Sequence, residues 1–276
     1  MFSLIVTTQG DRLIEFERFM KSLLSQHDFE LILVDQSQDS VVKSVFDRYK
    51  YRGVYIRTDE KISLSRARNI GIKHASGEYY AFPDDDCWYP EGLLTRVRQL
   101  FDSYNAFCIC LNAYDPIQGR SLMSRKSAKS IVKITKWNAL KYPVSIGIFT
   151  RKNPFLFDET FGVGAKWGAG EESDYIRKII CENEKILYFR DEKVYHPYIK
   201  ELDNSAMAQK AYCYGRGYGA LVKKHINEKD YTILLDYLIT LTRSFGGIAY
   251  YTLRKSEKQN MYCMRIKGMI DGFKDY

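Results

Sequence analysis

The chain opens on an apolar run, Ser3-Leu4-Ile5-Val6-Thr7-Thr8, whose β-branched content and lack of alternation predict a strand buried on both faces. After the turn Gln9-Gly10-Asp11, apolar positions recur at helical spacing over residues 12–25, with Leu13, Phe16, Phe19, Met20 and Leu23 on one face. Phe29-Glu30-Leu31-Ile32-Leu33-Val34 repeats the strand pattern and stops at Asp35-Gln36-Ser37. A helix over 41–49, a strand over 53–57 and a helix over 63–74 follow, with Ser63 or Ser65 placed to cap the last. Gly77-Glu78-Tyr79-Tyr80-Ala81 then reads as a buried aromatic strand. This alternation predicts an α/β fold, a Rossmann-like and mostly parallel central sheet with helices on both faces.

Beyond residue 100 the regularity weakens. Residues 106–111 and 144–150 read as strands, and 120–136 as a polar, basic excursion. The glycine-rich segment from Phe161 to Gly170 leads directly into Glu171-Glu172-Ser173-Asp174-Tyr175-Ile176-Arg177, where acidic residues suit a helix N-terminus. Residues 201–276 form a helical C-terminal region, in which 231–243 and 246–253 are two apolar stretches beside Arg243, Arg254, Lys255 and Lys258. Those stretches fit helices lying on an anionic membrane surface, and equally a helical subdomain packed on the core with its basic residues solvated.

A hydrophobic share of 45% and a charged share of 28% describe a chain that buries a core, and exclude a disordered one. No apolar run reaches the ~18 residues of a membrane span, and the start lacks a basic n-region. The six cysteines show no zinc spacing and read as reduced thiols of a cytoplasmic protein, with the inner face of the cell membrane as the place for peripheral attachment. A net charge of +8 calls for an anionic partner, whether nucleotide, nucleic acid or acidic membrane. Residues 1–100 are nearly balanced, so the excess lies further on, in 120–141 and the C-terminal tail.

Ligands of parallel sheets bind outside the carboxyl ends of the strands, where Thr7, Thr8, Asp35 and the triplet Asp84-Asp85-Asp86 all fall. Three adjacent carboxylates repel one another, and gathering them suits a divalent cation such as Mg2+ or Mn2+. An acidic surface turn capping the next helix is the plainer alternative.

With Thr7-Thr8, Val34-Asp35-Gln36-Ser37, Ala67-Arg68-Asn69-Ile70-Gly71, Phe82 to Pro90 and Gly170 to Lys178 in this order, the chain resembles the inverting family 2 glycosyltransferases of bacterial polysaccharide biosynthesis, whose fold is GT-A. The resemblance covers residues 2–200 and implies a catalytic domain with a nucleotide-binding half, 1–100, and an acceptor-binding half, 101–200. It implies a nucleotide-sugar donor, a UDP-sugar first of all, from which a hexosyl or N-acetylhexosaminyl group passes to a glycan or lipid-linked glycan. It places Thr7, Thr8, Asp35, Arg68, Asp84 and Asp85 at the donor, and Asp86 on the metal. Glu172 becomes the catalytic base if Lys178 matches the family's downstream arginine; if Arg177 does, the role moves to Glu171. Asp174 and Glu171 are implied at the acceptor, and Trp167 as an apolar face for a sugar ring or as core packing. His196 resembles a metal-site histidine of some GT-A enzymes, and also fits an ordinary structural residue. Gln36 departs from the family, which has a second acidic residue there, and leaves the base of the nucleotide open.

Two rivals come from other classes. A nucleotidyltransferase would show a glycine-rich basic loop after the first strand, which Thr7-Thr8-Gln9-Gly10-Asp11 is not. A basic nucleic-acid-binding protein would carry its charge on a recognisable motif, and none stands in the sequence.

Overall fold

The structure, a computed structural model, describes residues 1–122, 129–198 and 203–276. The middle of the basic excursion and the boundary drawn at residue 200 lie outside these. The described chain forms two units. The first comprises residues 1–62, 66–157 and 175–198; the second comprises 63–65, 158–174 and the chain from 203 onward.

The first unit is built on a nine-stranded sheet. Its N-terminal half alternates β1 (Phe2–Thr8), α1 (Leu13–Ser22), β2 (Phe29–Asp35), α2 (Val41–Tyr49), β3 (Gly53–Arg57), α3 (Leu64–His74) and β4 (Tyr79–Ala81). Then come α4 (Leu93–Tyr104), β5 (Cys108–Asp115), β6 (Arg120–Ser121), β7 (Ile131–Ile134), β8 (Ile148–Arg151), α5 (Glu171–Cys181) and β9 (Ile186–Tyr195). The strand order is β3-β2-β1-β4-β8-β5-β9-β7, with β6 beside β5. Pairs β1–β2, β2–β3, β1–β4 and β5–β9 are parallel, whereas β8 runs antiparallel to both β4 and β5. Both faces are sealed by separate apolar clusters. One contains Leu4, Val6, Phe16 and Phe101; the other contains Ile5, Ile32, Phe82 and Tyr175. Alternate residues of β1 thus feed opposite cores, which is why its sequence is apolar without interruption.

Two readings change in detail. The strand expected over 144–150 begins as a 3-10 turn, Ser145–Gly147, and only Ile148–Arg151 pairs. Gly147 passes so close to Leu111 that an added Cβ would stand 2.5 Å from its carbonyl oxygen. Ser65 does not cap α3; its hydroxyl donates to the Phe161 carbonyl at 2.6 Å. One irregularity positions the site. Between the pairs Leu111–Phe189 and Asn112–Lys193, β9 bulges out Arg190, Asp191 and Glu192 before pairing resumes.

In the second unit, α6 (Asn204–Asn227), α7 (Thr232–Leu253) and α8 (Lys258–Asp275) follow in series. The glycines of Tyr212-Cys213-Tyr214-Gly215-Arg216-Gly217-Tyr218-Gly219 serve close helix crossing. Added Cβ atoms would meet the Arg265 carbonyl at 2.4 Å from Gly215 and the Met269 carbonyl at 2.1 Å from Gly219. From the facing side, Gly268 and Gly272 approach the backbone of Tyr212 and Arg216 as closely. The two apolar stretches of 231–253 are one continuous helix, and within it Gly247 lies against the Tyr262 ring of α8.

Candidate functional site

The carboxyl edge of the sheet collects the expected donor residues. Thr8 on β1 pairs with Asp35 on β2, which pairs with Arg57 on β3, and an isolated parallel bridge sets Asp84 beside Thr7. Asp35 is fully buried. It accepts from the Ser37 amide at 2.8 Å and from the Tyr55 hydroxyl at 2.6 Å. Burial and that second bond together push the Tyr55 phenol up. Gln36 is buried too, and its side-chain oxygen accepts from the Ile62 amide at 2.8 Å. An acidic residue there would offer the same acceptor, so the substitution keeps the loop tie while removing a charge.

The triplet is not a surface turn. Asp85 and Asp86 are buried, and α4 begins later, after Gly92, with no side-chain cap. Each carboxylate has its own partners. Asp84 accepts from the buried Arg68 guanidinium at 2.9 Å. Asp85 accepts from the Thr8 hydroxyl at 2.7 Å and lies 3.2 Å from Arg12 Nη2. Burial, which outweighs Thr8 and Arg12, pushes the Asp85 carboxyl up to about 7. Burial also opposes charge on Asp86, but His196 and Arg12 prevail and hold it below the usual carboxylate range. Arg12 donates from Nη1 to Asp86 Oδ2, and Arg18 donates to the Asp86 carbonyl at 2.9 Å while its guanidinium stacks 3.8 Å above the Trp88 ring.

His196 reaches this place through backbone pairing. Trp88 and Tyr195 exchange amide-to-carbonyl bonds of 2.9 Å in each direction, which lays the end of β9 beside the triplet. His196 Nδ1 lies 2.7 Å from the Pro197 carbonyl and Nε2 lies 3.2 Å from Asp86 Oδ1. With Nδ1 donating to Pro197, a neutral ring would face Oδ1 with a lone pair, so the contact demands a proton or a cation. Burial alone would lower the His196 pKa, but the hydrogen bond and charge of Asp86 raise it. One ligand atom from each of Asp84, Asp86 and His196 lies within 4.8 Å of the others. Two carboxylates and an imidazole suit a divalent ion of the Mn2+ or Mg2+ type, so the donor set fits the cation implied by the sequence.

The glycine lead-in and first turn of the other motif, up to Asp174, lie in the second unit. Gly162, at φ +99°, passes so close to Ser65 and the Glu171 carboxylate that an added Cβ would stand 2.8 and 3.3 Å from them. Gly170, also at φ +99°, ends the loop, and its carbonyl accepts the Asp174 amide at 3.0 Å to start α5. Glu171 and Asp174 lie on the buried face of that first turn, whereas Glu172 is partly exposed. Asp174 has no exposed surface and pairs with Lys224 at 2.7 Å. Trp167 is also buried, its ring 5.7 Å from that of Tyr276 and 6.4 Å from that of Phe161. Both therefore support this segment from within and show no open face for an acceptor.

Arg12, Arg18, Tyr55 and Lys224 escaped the sequence reading. For Arg12 the signal was its place just past the end of β1, on the edge where Asp35 and the triplet also fall. For the other three only tertiary contacts mark them.

Comparison with known proteins follows the same lines. The family model described as glycosyl transferase family 2 matches residues 3–163. The minor teichoic acid biosynthesis protein GgaB of Bacillus subtilis (strain 168) is 27% identical over 203 residues, a stretch covering 69% of this chain and 22% of GgaB. The chain thus spans under a quarter of that relative's length. Among solved structures, TarS 1–349 of S. aureus in complex with UDP-GlcNAc superposes with a TM-score of 0.57 at 16% identity, covering 96% of this chain and 90% of that one. The mannosyltransferase PcManGT from Pyrobaculum calidifontis, in complex with GDP-Man and Mn2+, gives 0.65 at 14% identity, covering 99% and 87%. Both likenesses are of fold, the GT-A arrangement of a mostly parallel sheet with flanking helices.

Proposed function

The chain belongs to glycosyl transferase family 2, and on that premise we propose a metal-dependent, inverting enzyme that transfers a hexosyl or N-acetylhexosaminyl group. The donor is a UDP-sugar, and the acceptor a hydroxyl of a glycan or lipid-linked glycan of a cell-surface polysaccharide. The meeting of Asp84, Asp86 and His196 at the carboxyl edge of the sheet, beside Thr8 and Asp35, carries the reading. A relative named for teichoic acid biosynthesis supports the acceptor class, and a fold neighbour holding UDP-GlcNAc supports the donor class.

In this reading Asp84, Asp86 and His196 hold Mn2+ or Mg2+, which when bound neutralises charge on the leaving diphosphate. Thr7, Thr8, Asp35 and Arg68 hold the nucleoside and sugar, and Asp85, tied to Thr8, fixes the loop between them. Glu172 takes the proton of the acceptor hydroxyl as general base, which gives inversion in one displacement. Its partial exposure supports that role over the buried Glu171. Glu171, Asp174 and Trp167 shape the segment that carries it.

Replacing Glu172 with Gln tests the assignment. Donor binding, followed by calorimetry with UDP-GlcNAc and Mn2+, should persist while turnover falls about 10²–10⁴-fold, the usual contribution of a general base. Wild-type turnover in E172Q, with loss in E171Q, would move the base to Glu171.

A further inference from the structure

Away from the candidate site, the least explained surface of the second unit is the outer face of α7. One side of this helix is partnered. Ile233 and Ser244 are buried, Asp236 accepts from the Tyr218 hydroxyl at 2.9 Å, and Tyr251 stacks on Tyr262. The other side is not. Tyr231, Leu235, Leu238, Phe245 and Leu253 are all exposed, Leu253 to 86%, and Thr242 and Ala249 continue the same line. Steps of three and four residues place these side chains on a single stripe. At 1.5 Å per residue the stripe runs for about 30 Å. Yet no helix among the described residues is long and apolar enough to cross a membrane.

Charge selects the occupant. Within Thr232–Leu253 the charged residues are Asp236, already hydrogen-bonded, and the exposed Arg243. Arg254, Lys255 and Lys258 follow at its end, all exposed, joined by Glu257, which accepts from Asn204. Arg243 lies about 100° around the helix from the centre line of the stripe, so it borders the apolar face without interrupting it. An anionic bilayer surface attracts the four basic groups, Arg243, Arg254, Lys255 and Lys258, and takes Tyr, Phe and Leu at headgroup depth.

We propose that α7 lies in the plane of an anionic lipid surface, its Tyr231-to-Leu253 stripe sunk at the headgroup boundary and Arg243, Arg254, Lys255 and Lys258 on lipid phosphates. The inference is independent of the sugar, the donor and the base assignment.

The test is co-sedimentation of the full chain with phosphatidylcholine vesicles, with and without phosphatidylglycerol, at low and high salt. Wild type should pellet with the anionic vesicles at low salt only. Exchanging Arg243, Arg254 and Lys255 together for Ser should reduce partitioning about 100-fold, and L238E/F245E should abolish it, both with unchanged melting. Should the double variant not fold, Phe245→Trp reports instead: brominated anionic lipid should quench the emission of the introduced indole. Failure of wild type to bind, full binding by a folded L238E/F245E, or unquenched emission from the Phe245→Trp variant would each overturn the proposal. So would a lipid-free dimer in sedimentation velocity that L238E/F245E dissolves, which would assign the face to a second copy.

Discussion

Lys224 of α6 donates to Asp174 at 2.7 Å and to Asp158 at 2.8 Å, so one buried ammonium fastens both ends of the segment 158–174. That segment carries Glu171 and Glu172. Breaking a buried ion pair by removing one partner leaves the other charge stranded and costs about 3–5 kcal/mol. Lys224→Met should therefore lower stability by that order in urea unfolding. It should also reduce turnover more than it weakens donor binding.

The same cluster has a pH signature. Burial alone would lower the Lys224 pKa, but Asp174 and Asp158 prevail and raise it. Its contribution is complete below the ordinary lysine range and disappears as pH rises through the elevated value. Asp158 is opposed by burial but held low by Lys224 and Thr160, so its contribution is present above the ordinary aspartate range and lost as pH falls through the depressed value. The stability difference between wild type and Lys224→Met should then form a plateau around neutrality that shrinks in strong acid and strong alkali. A pH-independent difference in urea midpoints would contradict this.

Close crossing of α6 and α8 leaves no room at their glycines. Gly219→Ala would drive a methyl against the Met269 carbonyl, and should cost about 1–3 kcal/mol, the usual range for overpacking. Gly246, with nothing within 4 Å of an added Cβ, is the control: alanine there should be neutral or stabilising. Thermal unfolding of the two variants distinguishes them directly.

Chelation should abolish transfer, and Mn2+ should restore it. Removing a group that merely supports a ligand usually costs about 10–100-fold in metal affinity; Asp86→Asn and His196→Ala, as ligand losses, should cost at least that. Electron paramagnetic resonance of Mn2+ with UDP present reads this without turnover. Equal Mn2+ affinity in His196→Ala would reduce the proposed ligand set to the two carboxylates.

Tyr55 donates to the buried Asp35 carboxylate, the residue proposed to meet the nucleoside. Tyr55→Phe removes one hydrogen bond to a buried charged group, worth about 1.5–3 kcal/mol. UDP affinity in calorimetry should fall by about tenfold or more while kcat, once the donor is saturating, stays near wild type.

Local patterns revealed what local physics determines. Strands buried on both faces advertise themselves, so β1, β2 and the aspartates at their ends stood out in the sequence, and the ordered motifs then marked the family. What stayed hidden depends on distant partners. Lys224 stands in the run Lys223-Lys224-His225, which carries no local sign of burial; only the two aspartates it meets explain it. Arg12 looks like any polar residue at a helix start until the triplet is folded against it. Residues 231–243 and 246–253 read as two separate apolar stretches, whereas they are one helix whose Gly247 lies against the Tyr262 ring of α8, a contact the sequence does not show.

The bulge in β9 gives His196 a further meaning. Three looped-out residues set the phase with which the strand reaches Trp88, and side chains on a strand alternate faces with each step. Deleting Asp191 alone would leave the apolar pairing of 186–189 intact yet present the next face at the far end. His196 would turn away from Asp86, and Val194, on the same stretch, would turn out of the core with it. The sheet thus works as a counting device. Insertions and deletions of single residues at 190–192 are edits to the candidate metal site, although none of those residues belongs to it.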